Sequence, residues 1–457
     1  MRSMSFAALL LLSACAPAPQ AEVTMARSVD DSLTGPALPA MQAFAPMPGQ
    51  AVQRANSEIA ADFLDLEFRM ESGRALPVLT RFEGPITVRL TGDVPNTASG
   101  DLARVIGRFR AEAGIDVSAV PSGDASITIE FVPRAALRRV VPSATCFVVP
   151  NVASLAEYRA LRGTPAVDWA NLTTRNRAAI FVPADTNPQE VRDCLHEELA
   201  QAMGPLNDLF RLQDSVFNDD NFNTVLTGFD MLILRAHYSP ELRSGLNEAE
   251  VAARLPALLA RLNPQGEGLA GNPKTLSPRS WIDAVQAALG SAGSDDQRRA
   301  ASERMLAIAR AQGWTDNRLG FSHFAVARNN VTSNLPYAIE HFSEAGRIFR
   351  SLPGGQMHAA HVDMQLGALS LAAGEYGKAI AFADRAIPVV QQGQNAALLA
   401  TLLIIRSEAL SAAGRPDEAR QARLDSLGWA RYGFGSDAQI RAHMSEIAAL
   451  AQRGQRG

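Results

Sequence analysis

The chain is poor in the residues that usually make a function easy to read. Cysteine occurs three times in 457 residues, too few for the disulfide framework of a small secreted domain or for a four-thiolate zinc site. Aromatic residues make up 6%, with four Trp and five Tyr, so no stacking platform for bases or sugars stands out. Positive charge is not in excess. The 43 Lys and Arg stand against 47 Asp and Glu, a net charge of -4 with no basic cluster, which argues against nucleic acid as a partner. Beyond the N-terminus no apolar run is long enough to span a bilayer; residues 398–405 are apolar but short and lie inside a helical pattern. What remains is an ordinary globular composition, 47% hydrophobic, in a chain too long for one compact domain. Two or three domains are expected.

The first residues read as an address. Arg2 supplies a small positive region, residues 6–12 are apolar, and Leu12-Ser13-Ala14-Cys15 follows. This stretch resembles the bacterial lipoprotein cleavage box. The resemblance implies a signal peptide over 1–14 and lipidation of Cys15, which anchors the chain to the membrane through several acyl chains. Ala16 after the cysteine favours the outer membrane, so the expected location is the cell envelope, facing the periplasm. An ordinary secretory signal with an incidental cysteine is the alternative. Residues 15–50, rich in Ala, Pro, Gln and Met, read as a flexible tether. With Cys15 acylated, Cys146 and Cys194 are left in an oxidising compartment, either paired as a disulfide or buried as free thiols.

The densest motif is Glu197-Glu198-Leu199-Ala200-Gln201-Ala202-Met203-Gly204-Pro205-Leu206-Asn207-Asp208. Its spacing resembles the metzincin zinc-protease helix, H-E-x-x-H-x-x-G-x-x-H-D, with none of the three histidines present. Positions four apart share a helix face, so Glu197 and Gln201 should point into one cleft, with Glu198 one step round. Glu198 then stands in the general-base position. Gly204 is expected to end the helix in a left-handed turn, Pro205 to prevent its continuation, and Asn207 to swing back toward the cleft. The metal positions therefore read Glu197, Gln201 and Asn207, a hard and weak oxygen set that suits calcium, magnesium or no metal better than zinc. No cofactor is expected; a divalent cation, if held, would sit on those three residues. His196 does not restore the pattern, because its i+4 partner is Ala200.

The motif continues through Asp214-Ser215-Val216-Phe217-Asn218-Asp219-Asp220 and Phe229-Asp230-Met231-Leu232-Ile233-Leu234-Arg235-Ala236-His237-Tyr238. Together these segments resemble the uncharacterised bacterial family known as domain of unknown function 2927. The resemblance implies a zincin-like domain over about 51–260 and no defined activity. Where a zincin carries a methionine turn, this chain has Arg243-Ser244-Gly245-Leu246.

Apolar spacing predicts helices over 52–70 and 101–113, and strands at 86–90, 127–132, 146–149 and 178–182. The motif helix is expected over 188–203, after the start signal Asp185-Thr186-Asn187-Pro188. Strand, helix, strands and then a site-bearing helix is the order of a zincin-like α+β core. Asp214, Asn218, Asp219, Asp220 and Asn221 crowd oxygen groups into a loop without EF-hand spacing, and read as solvated turn and cap residues. Residues 229–237 read as a helix ending on His237, in a capping or core role.

From 275 to 457 the pattern is helical. Leu366-Gly367, Gly374, Tyr376, Ala379, Ala383 and Ala386 resemble a tetratricopeptide repeat, and Ala413, Gly414 and Ala419 repeat the register forty residues later. An earlier copy contains Ala338, Phe342 and Ala345. The expected form is a short solenoid of irregular hairpins, with residues 440–452 as a cap. Asp425-Ser426-Leu427-Gly428-Trp429-Ala430-Arg431-Tyr432-Gly433-Phe434-Gly435 reads as an aromatic-rich break, either docking the solenoid on the first domain or forming a local cluster.

The fold expectation is thus α+β: a zincin-like domain followed by an all-α tetratricopeptide-like repeat domain. The functional expectation is a lipid-anchored cell-envelope scaffold with a degenerate metalloprotease-like domain and a helical repeat arm that binds a protein or peptide partner. The alternative is a divergent metal-dependent hydrolase, peptidase-like, with Glu198 as base.

Overall fold

The computed structural model describes residues 38–45, 49–142 and 144–454. The expected signal peptide, Cys15 and most of the tether lie outside the described residues. The first region is built on a five-stranded sheet: β1 (Ile86–Gly92), β2 (Val117–Ala119), β3 (Ile127–Val132), β4 (Phe147–Pro150) and β5 (Ala178–Pro183), in the order β2-β1-β3-β5-β4. The first four in that order run parallel, and β4 lies antiparallel on the edge, with Val148 opposite Ile180. All six positions of β5 are buried, which is why it reads as one apolar run rather than an alternation.

Seven helices surround this sheet: α1 (Asn56–Glu67), α2 (Ala98–Arg108), α3 (Arg134–Arg138), α4 (Leu155–Leu161), α5 (Pro188–Met203), α6 (Gly228–His237) and α7 (Glu248–Leu262). The motif helix α5 spans the expected residues. The helix expected at 101–113 begins three residues earlier and winds its last turn, Phe109–Ala113, as a π-turn. Apolar side chains of α1, α2, α5, α6, α7 and the sheet share one core, including Phe63, Phe109, Leu195 and Leu255.

Nine further helices complete the described chain: α8 (Arg279–Leu289), α9 (Asp295–Ala311), α10 (Asn317–Asn330), α11 (Leu335–Ser351), α12 (Gln356–Ala372), α13 (Tyr376–Gln392), α14 (Ala396–Ala412), α15 (Pro416–Phe434) and α16 (Asp437–Gly454). The pairs α10–α11, α12–α13 and α14–α15 are helical hairpins. Gly374 and Gly414 both take φ +76°, and the N–H of the next residue reaches back to Ser370 and Leu410 respectively. These matching left-handed turns make the repeat visible in the sequence. Small residues Ala379, Ala383 and Ala386 let α13 pack closely, and all are buried. None of the described helices is long and apolar enough to cross a membrane.

Two expectations are corrected here. The break at 425–435 is continuous helix as far as Phe434, and the chain turns only at Gly435, φ +88°. Of the two roles expected for its aromatic residues, docking on the first region is seen: Tyr432 donates to Asp101 at 2.8 Å, and Trp429 stacks on Phe44 at 4.4 Å between ring centres. Residues 38–45, expected as tether, lie against α15, where the Gln42 amide donates to the Gly428 carbonyl. An apolar ring at Phe44 beside an exposed helix face is sufficient reason for the chain to dock there.

The helical region does not stand apart as an arm. Fourteen of 17 residues in α12 and 13 of 17 in α14 are buried, against five of 17 in α13. A helix buried all round has partners on every side. For α12 and α14 these include α16, which places Ile447 and Ala451 in their core. At the N-terminal end of α14, α5 supplies further cover: Gln189 bonds Asn395 and the Ala397 amide, and Arg192 donates to the Gln394 carbonyl. The loop between α5 and α6 completes the cover by inserting Phe210 and Phe222 among aromatic residues of α8, α10, α11 and α12.

Candidate functional site

Helix α5 begins at the Asn187 side chain, which accepts from the Glu190 amide, with Pro188 in its first turn. Cys194 pairs with Cys146 across 6.1 Å between Cα atoms, which ties the helix to the segment leading into β4. The end of the helix departs from expectation. Gly204 has φ -152°, so no left-handed turn forms. Buried Arg175 holds the end instead, donating to the carbonyls of Gln201 at 2.7 Å, Ala202 at 2.8 Å and Gly204. Burial lowers the Arg175 guanidinium to about 10, opposed by the charge of Glu67. Nothing in the sequence marks Arg175, one of two arginines in the loop before β5.

The motif side chains are only partly brought together. The Gln201 amide donates to Asp208 at 3.3 Å, and the Asn207 amide donates to the Asp65 carbonyl of α1 at 2.9 Å. The two carboxamides therefore serve different elements. Among the described residues, no three His, Cys, Asp or Glu side chains close on a point that would hold a metal ion. The donor set does not fit zinc. His196 faces away from the cluster, with Nδ1 accepting from the Leu226 amide, and burial first, then nearby arginines, push it well below its usual value.

What does gather is carboxylate. Glu198 is 4% exposed and its Oε2 has no hydrogen-bond partner. Glu197 and Asp208 are half-buried, and Glu71 and Asp219 are exposed. Desolvation by the surrounding protein raises Glu197 to about 8, helped by Glu71 and Asp219, and, although its surface is exposed, raises Asp219 to about 7, helped by Glu71 and Asp220. Glu198 and Asp208 lie well above the ordinary carboxylate range, again through burial first and neighbouring carboxylates second. Asp208 and Glu71 face each other closely enough to share a proton. The nearby arginines pair elsewhere, Arg211 with Asp62 and Asp65, at 2.8 and 2.7 Å, and Arg192 with Asp193, while Arg211 Nη1 is buried without a partner. Sequence reading missed Glu71 and took Asp219 for a turn or cap residue, because only the tertiary fold brings residues 71, 197, 208 and 219 together.

The match to known proteins covers this part of the chain. Residues 56–257 match the family described as protein of unknown function DUF2927. That span runs from the first residue of α1 into α7 and contains the whole sheet and every carboxylate of the cluster. No curated protein matches the chain.

The remaining oxygen-rich loop of the matched region is built of turn residues, as expected, with Asp219 and Asn221 exposed, Asp214 half-buried and Asn218 and Asp220 buried. Asn218 accepts from the Asp220 amide, Asp220 from the Phe222 amide, and Asp220 meets His358 of α12 at 2.7 Å. Asp230 closes a capping box with Thr227 at the start of α6, and burial raises it to about 6. His237 is in the core, with Nδ1 at 2.9 Å from Glu67. Two surface clefts of about 380 and 450 Å³, beside Trp169 and beside Arg89, are lined by no motif residue.

Proposed function

We propose that the protein is a lipid-anchored component of the cell envelope that binds a protein or peptide, with a zincin-like domain kept as a binding cleft rather than a hydrolytic centre. The order of strands before the motif helix supports the zincin-like reading, as does Glu198 in the base position. The observation that carries the binding reading is the fate of the two carboxamides. Gln201 and Asn207 occupy the remaining metal-ligand positions, yet their amides hold Asp208 and α1. The hairpins are read as tetratricopeptide-like repeats that brace the cleft from behind, through Phe210, Phe222 and the Asp220–His358 pair. Lipidation at Cys15 and an outer-membrane location follow from the resemblance of the N-terminus alone.

Elemental analysis of the purified full chain, together with a peptide-cleavage assay, tests this reading. The expected result is substoichiometric zinc and no cleavage. Stoichiometric zinc lost on Gln201→Ala, with cleavage abolished by Glu198→Gln while the metal stays, would establish the hydrolase instead.

A further inference from the structure

The face of the sheet opposite α5 changes character across its width. At the β5–β4 end, Ala179, Phe181 and Val149 share an apolar cluster with Leu137 of α3 and Leu155 of α4. The register Arg89–Thr128–Ala179 carries the same face across to β1. There it presents Thr87, Arg89 and Thr91, polar and half-buried. Parallel strands inside a sheet are normally covered and apolar on both faces, so a polar floor at this place calls for a polar partner. A cleft of about 450 Å³ opens over it, within the range of roughly 300–1,000 Å³ typical of ligand sites. Ser126 and Thr128 line it beside Thr87 and Arg89, and Asn176 and Arg177 join from the segment entering β5.

Charge in this cleft is unevenly answered. Arg177 pairs with Glu157 at 2.6 Å. Arg89 has no carboxylate within ion-pair distance among the described residues; its Nη1 donates to the Gly123 carbonyl at 2.6 Å, which answers a hydrogen and not the charge. The hydroxyls of Thr87 and Ser126 each accept from the other residue's backbone N–H and lie 3.3 Å apart. Only one of their two protons can bridge them, so the other is left to donate. A guanidinium with an unused fork and a hydroxyl held as a donor suit an oxyanion. A cation would meet two arginines against Asp124, the single carboxylate of the lining.

We infer that this cleft binds a small anion through a carboxylate or phosphate group, with Arg89 as the main charge, Arg177 as the second and the Thr87–Ser126 pair as the neutral donor. The site goes beyond the binding reading above and is independent of it, because the motif carboxylates belong to the other side of the sheet.

Isothermal titration calorimetry on the purified full chain tests it with inorganic phosphate and with succinate, two anions of similar charge, at a constant ionic strength of about 0.1 M, where the screening length is about 10 Å. At least one should bind saturably, at one site per chain, and the tighter of the two names the group. Arg89→Gln keeps a donor for the Gly123 carbonyl and should weaken that anion tenfold or more. Arg177→Gln should weaken it threefold or more. Asp124→Asn should tighten it, since a carboxylate in the lining opposes an anion. Arg177 and Asp124 are exposed, so the test stands even if Arg89→Gln unfolds. Arg420→Gln, the same charge change at a side chain 69% exposed on α15, should alter nothing. The inference is overturned by no saturable binding of either anion, by an unchanged affinity in Arg89→Gln or Arg177→Gln, or by looser binding in Asp124→Asn. An equal loss in Arg420→Gln overturns it too, by reducing the effect to net charge.

Discussion

At the scale of single residues, the site depends on where buried charge is answered and where it is not. Arg175 is answered three times over, by the carbonyls that end α5. Removing it would leave buried acceptors unmatched, each costing about 1–3 kcal/mol. Arg175→Ala should therefore destabilise the fold by about 3–5 kcal/mol, visible as a lower denaturant midpoint. Arg175→Lys should recover less than half of that loss, because an ammonium cannot fork to several carbonyls. Equal stability of wild type and Arg175→Ala would refute the role. The spacing of Glu197, Glu198, Gln201, Asn207 and Asp208 was legible in the sequence because a helix has a fixed period. Arg175 and Glu71 were not, since each acts on residues far along the chain and sits in no periodic pattern.

At the scale of elements, helix starts, buried strands and hairpin turns were legible because local chemistry sets them. Asn187-Pro188 opens α5, and Gly374 and Gly414 close their helices. The end of α5 was misjudged because a glycine that commonly takes positive φ was relieved of that task by a side-chain cap from Arg175. In the aromatic stretch at 425–435 docking was foreseen as one of two alternatives, and the expected break was not met. Its ring positions suit a helix face that docks against Phe44 and Asp101, and that partner was not visible locally. The bond between Cys146 and Cys194 closes a span of 48 residues and joins α5 to the approach to β4. On the chain-entropy account it stabilises by roughly 4 kcal/mol. Thermal unfolding of Cys146→Ser with Cys194→Ser should show a loss of that order, and reduction of the wild type should reproduce it. A double variant as stable as the wild type would mean the tie contributes nothing.

At the scale of the whole molecule, folding couples to protons through groups held away from their ordinary ranges. Glu197 near 8 and Asp219 near 7 keep protons that the unfolded chain, with carboxyls near 4, gives up. The folded state thus binds more protons than the unfolded one, and stability is lost as pH rises through 7 and 8. The histidines act in the opposite sense. Burial lowers His361 to about 3 and His323 and His443 to about 4, so below their unfolded value near 6.5 the unfolded chain takes protons the folded chain refuses. The unfolding temperature should therefore climb as pH falls from 8.5 to 6.5 and level off below. Glu197→Gln should flatten the climb. A temperature that does not change between pH 8.5 and 6.5 would contradict the carboxylate assignment.

By itself the sequence determined the α+β order, the paired helices with their left-handed turns and the motif register, all consequences of local periodicity and turn chemistry, and it named the two cysteines available to pair. Only the tertiary structure decided which carboxylates act on one another, and that the repeats are packed onto the first region rather than held apart from it. Those outcomes depend on burial, and a residue's burial is set by segments distant in the chain: Phe222 against α12, Tyr432 against Asp101, Glu71 against Asp208. The field at a carboxylate is the sum of such contacts, which no stretch of neighbouring residues carries on its own.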